Sequence, residues 1–152
     1  MKLYPIFTFT LILLTLSGFS QFDSTKVFKK SKGTLPHPIP QHSQYKIDSP
    51  NHENPCECMI FICYSAYPVN AIHDGVAVEV QQIEDIFVII IKYGDYFISY
   101  SGLSNPMLSK GDFVKAGQII SSLAKSYDHH YELTLYISNR GKNFNPSEWL
   151  AP

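Results

Sequence analysis

The sequence predicts an all-β domain, and three observations carry that prediction. After residue 58 the apolar residues fall in many short runs rich in Ile, Val, Tyr and Phe, residue types that suit a pleated surface. Glycine and Asn/Asp turn signals separate these runs at short, regular spacing. Beyond the N-terminal leader, no helical periodicity is sustained for more than about two turns. Short strands with turns between them build a sandwich or barrel, and residues 58–152 are enough for one modest core.

Met59 to Tyr64 is the first apolar run. Pro68-Val69 leads into Gly75 to Val80, where Val76, Val78 and Val80 alternate and so are expected on one face. Phe87 to Lys92 is almost wholly apolar and β-branched, the pattern of a strand buried on both faces. Tyr93-Gly94-Asp95 is a turn, and Tyr96 to Tyr100 returns to form a hairpin. Gly111 and Gly117 bracket another short strand, and Gly111-Asp112 is a natural place for positive φ. Tyr131 to Ser138 places Leu133, Leu135 and Ile137 on one face, and Asn139 to Lys142 turns the chain. Ser147 to Leu150 has room for a single helical turn.

The N-terminus has the layout of a cleaved secretory signal. Lys2 precedes an apolar stretch from Ile6 to Leu16, and Gly18 and Ser20 are the small residues a signal peptidase inspects. The stretch is shorter than the roughly 20 residues of a membrane span, so no stable span is expected once residues 1–20 are removed. The expected destination is the periplasm or the exterior. Residues 21–57 carry Pro36, Pro38, Pro40, Pro50 and Pro55 with few large apolar residues, and are expected to form an extended, flexible linker. Lys26, Lys29, Lys30 and Lys32 in that segment read as a solvated basic stretch. The net charge of -1 and the lack of a basic stripe argue against nucleic acid as a partner.

Cys56, Cys58 and Cys63 leave one thiol over if two pair, and the spacing does not say which two. His37 and His42 lie in the proline-rich segment, and His73 precedes the Asp74-Gly75 turn, where a surface role is expected. Phe144 and Trp149 read as packing aromatics.

Four segments in order carry a family resemblance. Pro68 to Val76 resembles an opening segment that ends in Asp-Gly, and Tyr96 to Leu103 resembles a strand that ends in Tyr-x-His-Leu. Lys110 to Ile120 resembles Gly-x-x-Val-x-x-Gly-Gln-x-Ile, and Gly141 to Leu150 resembles Gly-x-x-x-Asn-Pro-x-x-x-Leu. Together they resemble the lysostaphin-type or LytM-type zinc metallopeptidases, which cut the peptide cross-bridges of peptidoglycan. The resemblance implies a compact antiparallel β-sheet core related to the barrel-sandwich hybrids, over a peptidase-like domain at 58–152.

It also implies where zinc and the catalytic histidines should be, and there this sequence departs from the family. The His and Asp of the family's His-x-x-x-Asp fall on Cys56 and Ile60. The histidine of Tyr-x-His-Leu falls on Gly102, and the late His-x-His falls on Glu132 and Thr134. A catalytic zinc needs three protein ligands and an open position for water. The expectation is therefore a pseudoenzyme with no cofactor. Its groove, with Tyr100, Glu132, Thr134 and Tyr136 as candidate binding residues, would take peptidoglycan or a cell-envelope protein such as a cell-wall hydrolase. The alternative is an active zinc endopeptidase with shifted ligands, for which His130, Glu132 and Cys56 are the candidates. A barrel-sandwich carrier domain is disfavoured, because Lys110 lies between Ser109 and Gly111 and not in a carrier motif.

Overall fold

The computed structural model describes residues 23–40, 43, 45–48, 57–126 and 128–152. The expected signal sequence, His42 and Cys56 lie outside these residues. The elements in chain order are helix α1 (Ser24–Lys30) and strands β1 (Tyr45–Asp48), β2 (Met59–Cys63), β3 (Pro68–Asn70), β4 (Gly75–Ile83) and β5 (Ile86–Tyr93). They continue as β6 (Tyr96–Ser104), β7 (Phe113–Val114), β8 (Ile119–Leu123), β9 (Tyr131–Asn139) and β10 (Lys142–Phe144), followed by a 3-10 turn at Pro146–Glu148.

The strands form one connected antiparallel sheet in the order β1-β2-β9-β6-β5-β4-β7, with β10 on β9, β8 on β6 and β3 on β8. It is open, because β1 and β7 end the main path and do not pair with each other. Its inner face carries the core. Phe61, Leu133, Leu135, Ile137, Ile98, Tyr100, Ile89 and Ile91 are fully buried there. The expected alternation of β9 holds, with Leu133, Leu135 and Ile137 inward. The β5–β6 hairpin closes at Tyr93↔Tyr96, and Gly111 has φ +98 beside Asp112, whose carboxylate accepts the Ser109 N–H at 2.8 Å.

Two strand expectations are corrected. Val76, Val78 and Val80 do not share a face. The β4–β5 register shifts between Ala77 and Glu79, leaving Val78 without a cross-strand partner. This bulge flips the parity. Ala77 and Val80 therefore oppose the buried Ile91 and Ile89. Strand β5 is not buried on both faces either. Ile89 and Ile91 are buried, while Val88 and Ile90 on the outer face are only half-buried. No helix or second sheet of the described residues covers that outer face, so its apolar residues stay partly wet. The closing turn is the 3-10 turn, capped by Asn145, whose side chain accepts the Ser147 N–H at 3.0 Å.

The flexible linker is corrected over residues 23–40. This segment is part of the domain. Helix α1 is capped by Asp23, whose side chain accepts the Lys26 N–H at 3.2 Å. Seven residues are too few to hold a helix unaided, so its stability comes from docking. Phe28 is its one buried residue, at 0% exposure, and stacks on Tyr96 with ring centroids 4.4 Å apart. Trp149 and His73 complete the cluster at 4.9 and 4.8 Å from the same ring. His73 is thus half-buried among aromatics and not a surface turn residue, whereas Trp149, at 4% exposure, is the packing aromatic expected. Phe144, partly buried, packs on the same cluster. The helix also meets the β5–β6 turn. Thr25 Oγ1 accepts the Asp95 N–H at 3.2 Å, and a Cβ on Gly94 would lie 2.8 Å from the Thr25 nitrogen. After the helix, Leu35 pairs in parallel with Leu150. The Leu35 N–H donates to the Trp149 carbonyl, and the Ala151 N–H donates to the Leu35 carbonyl. His37 Nε2 lies 3.0 Å from the Ala151 carbonyl oxygen, and Ile39 is fully buried. The prolines contribute carbonyls here, as Pro38 does to the Asn70 N–H. Their missing N–H groups cost nothing in a segment that makes no ladder of its own.

Cys58 is disulfide-bonded, and Cys63 is a free thiol, fully buried on the inner face of β2. Burial disfavours the thiolate and pushes the Cys63 thiol up from 9.0 to about 11. The folded protein thus holds this proton more tightly than the unfolded chain. Its contribution to stability is complete below pH 9 and is lost as pH rises towards 11. Native protein at pH 8 is expected to resist iodoacetamide at Cys63 and to take one equivalent only after unfolding, counted by intact mass. Rapid labelling of the folded protein would contradict this placement.

Candidate functional site

Strand β9 runs through the middle of the site. Its inward residues anchor it in the core, so alternation turns Glu132, Thr134 and Tyr136 to the outer face. Cross-strand register sets their neighbours. Thr134 lies between Ile60 of β2 and Ser101 of β6, and Glu132 lies opposite Ile62. Ile60, Thr134 and Ser101 therefore form one row across three strands.

Gly102 follows Ser101 and breaks the ladder. Strand β6 pairs with β9 up to Ser101↔Thr134, then with β8 from Leu103↔Leu123. The β5–β6 register shifts at the same place, with Val88 opposite Ser101 and Phe87 opposite Leu103. Gly102 is the extra residue at this switch, with φ +87. Its own carbonyl accepts the Ala124 N–H at 2.9 Å. A Cβ built on Gly102 would collide with the Glu132 carbonyl oxygen. Histidine at this position thus meets two barriers, a left-handed backbone and a backbone atom in the way of its Cβ.

Above this face lies a cleft of about 520 Å³. Ser101, Gly102, Glu132 and Thr134 contribute to its lining from the sheet. Lys125, Ser126 and His129 line it from the segment after β8, and Asp85 and Ile86 line it from the β4–β5 turn. The segment after β8 is folded back by the Lys125↔Tyr131 bridge, the Ser126 N–H bond to the His130 carbonyl at 2.7 Å, and the His129 N–H bond to the Ser126 carbonyl at 3.1 Å. His129 adopts φ +64 there. The cleft thus holds a carboxylate on its sheet side and the Lys125 ammonium on its rim.

Gly102, Glu132 and Thr134, three positions onto which the resemblance maps catalytic residues, come together in this cleft. Ile60 adjoins them on the same face, half-buried. Other candidates fall elsewhere. Tyr100 is not a groove residue: it points into the core, fully buried, and its hydroxyl accepts the Ile72 N–H at 2.9 Å. Burial drives its phenol well above the ordinary range. Tyr136 shares the outer face but lies one pair further along β9, outside the cleft lining. His130 does not share the cleft with Glu132. It precedes β9, is exposed, and packs edge-on to Tyr64 with centroids 6.0 Å apart. His129 lines the cleft in its place. The sequence contained a usable signal for Ser101, which alternation puts on the same face as Thr134. It contained none for Lys125, His129 or Asp85, which reach the cleft by loops.

These side chains do not fit a zinc ion at the family's positions. Ile60 and Gly102 offer no donor, and Thr134 offers a neutral hydroxyl in place of an imidazole. Glu132, His129 and Asp85 are the three residues of metal-ligand type lining the cleft, but among the described residues no group of three His, Cys, Asp or Glu is placed to hold a metal.

Residues 58–146 match the family described as Peptidase family M23, which is more than half of the chain. An uncharacterized protein of Neisseria meningitidis serogroup B is 38% identical over 64 residues, covering 41% of this chain and 11% of its own. The chain thus spans about a tenth of that relative's length. Among solved structures, Helicobacter pylori Csd3 superposes with a TM-score of 0.66 at 21% identity, over 80% of this chain and 36% of that one. A chain of the SpoIIQ–SpoIIIAH pore-forming complex superposes with a TM-score of 0.64 at 17% identity, over 77% and 90%. At such identities these likenesses establish the fold.

Proposed function

The chain belongs to peptidase family M23, and from that premise we propose that it is an exported LytM-type domain without peptidase activity. Its cleft serves as a binding groove for peptidoglycan, or for a cell-envelope protein such as a cell-wall hydrolase that it regulates or scaffolds. One observation carries this reading. Gly102, Glu132 and Thr134, onto which the resemblance maps the Tyr-x-His-Leu histidine and the late His-x-His pair, line a single cleft. Its chemistry is recognition, with a carboxylate that accepts hydrogen bonds or pairs with a cation, hydroxyls that donate and accept, and Lys125 for an anionic group. That a chain of a two-protein complex shares this fold is in keeping with a protein partner.

Co-sedimentation of the purified, exported protein with peptidoglycan sacculi is the first test. Glu132→Ala faces outward and should leave the fold intact. Removing one charge-assisted bond is worth about 1.5–3 kcal/mol, so binding should weaken about tenfold or more. Failure to sediment with sacculi, together with failure to bind purified envelope hydrolases, would remove the proposal. Cleavage of sacculi that needs zinc and stops on chelation would replace it with the alternative, an endopeptidase with non-standard ligands.

A further inference from the structure

Strand β4 is nine residues long, but β7 covers only its start, at Gly75↔Val114 and Val76↔Phe113. The loop before β7 adds two bonds at Ala77, to the Asp112 carbonyl and from the Gly111 N–H. From Val78 to Ile83 no strand of the described residues pairs with this edge. The orientation of its backbone follows from the turn. Ile83 and Ile86 close a two-residue turn at Glu84-Asp85, so they face each other as a hydrogen-bonded pair. Hydrogen-bonded and non-bonded pairs alternate along an antiparallel ladder. Val80 and Gln82 therefore direct their N–H and C=O groups away from β5, along the open edge.

Protein edges are commonly guarded by bulges, charges, proline or a covering element. The first half of this edge is guarded, by the Val78 bulge and by the Glu79–Lys110 ion pair at 3.5 Å. The second half, Val80 to Ile83, has no Lys, no Pro and no covering element among the described residues, and Ile83 is 48% exposed. The edge also leads to the cleft, because Asp85 and Ile86 at its tip line it.

We propose that the open edge of β4 receives an extended, basic segment of a partner protein as an added strand. An extended backbone is the ligand that offers donors and acceptors at the two-residue spacing of Val80 and Gln82. The charge points the same way. Glu79, Glu84 and Asp85 flank the edge, and among the described residues Lys110 is the one cation paired on it. Side chains of the added strand on the cleft face would lie beside Glu79, Gln81 and Ile83. This goes beyond the cleft reading and favours a protein over a glycan as partner, but the edge is tested separately from the cleft.

The probe is a blocked, fluorescein-labelled nonapeptide of alternating lysine and valine, titrated into the whole exported protein. Gln82→Pro removes one outward N–H at an edge position that tolerates proline, and binding is expected to fall about tenfold. Gln82→Ala keeps that N–H while losing the side-chain bond to the Glu84 carbonyl, and Glu132→Ala alters only the cleft; both should bind as the parent does. On binding, the Val80 and Gln82 amides should become slow to exchange. Should Gln82→Pro not fold, a peptide N-methylated at alternate residues makes the same test and should not bind. The proposal is overturned by no binding, by equal binding of the N-methylated peptide, by equal binding to folded Gln82→Pro, or by a dimer of the protein that Gln82→Pro dissolves. None of these outcomes bears on sedimentation with sacculi, so the edge and the cleft can fail independently.

Discussion

Gly102→His is expected to destabilise the domain severely instead of restoring a catalytic group. The backbone at Gly102 has φ +87, which costs a residue with a Cβ about 1–2 kcal/mol. The Cβ also collides with the Glu132 carbonyl, and relieving such overpacking typically costs about 1–3 kcal/mol. Together the loss is on the order of 2–5 kcal/mol, a large part of a small domain's stability. Most of it should appear already in Gly102→Ala, since the first side-chain carbon makes the clash. Ser101→His, one residue earlier and outward-facing, should be tolerated. Urea denaturation of the three variants tests the ranking. A Gly102→His protein with the parental midpoint and newly acquired zinc would show that the backbone relaxes freely, and would refute the account of this position. While this backbone persists, a histidine is not accommodated at this position by a single substitution.

Phe28→Ala should be about as costly. Full truncation of a buried phenylalanine costs about 3–5 kcal/mol, and this ring is in contact with Tyr96, Trp149 and His73. The helix that carries it has no other buried residue, so the substitution should also free residues 23–40. Thermal unfolding measures the loss of stability, and limited proteolysis measures the release. Lys29→Ala, on the exposed side of the same helix, should change stability by no more than about 0.5 kcal/mol. If Phe28→Ala leaves the midpoint unchanged and the segment is already cleaved in the parent protein, the segment is a tether after all.

Why the sequence suggested a tether is instructive. Density of large apolar residues is a good guide to whether a segment packs, and 23–40 has few of them. Three are enough, because Phe28, Leu35 and Ile39 each fill a place prepared by distant residues. Tyr96 and Trp149 form the place for Phe28, Leu150 pairs with Leu35, and Ile39 joins the same buried core; these partners lie far along the chain, and no local pattern announces them. The face exchange in β4 has a similar origin. Val76, Val78 and Val80 read as a clean alternation, but the bulge belongs to the pairing of β4 with β5 and not to either strand alone.

The fold family, strands β2, β4, β5, β6 and β9 and the β5–β6 hairpin were legible in the amino-acid sequence alone. These rest on local rules, namely two-residue alternation, turn chemistry and the spacing of glycines and prolines, which act between residues close in the chain. The remaining features came from packing between segments. That packing placed His129 in the cleft and His130 outside it, turned Tyr100 into the core, drew the N-terminal segment into the domain, and made Gly102 irreplaceable where β6 changes partner from β9 to β8. The two histidines are set by the fold-back between Lys125 and Tyr131; the others depend on which distant backbone comes to lie alongside, a contact absent from any short window of sequence.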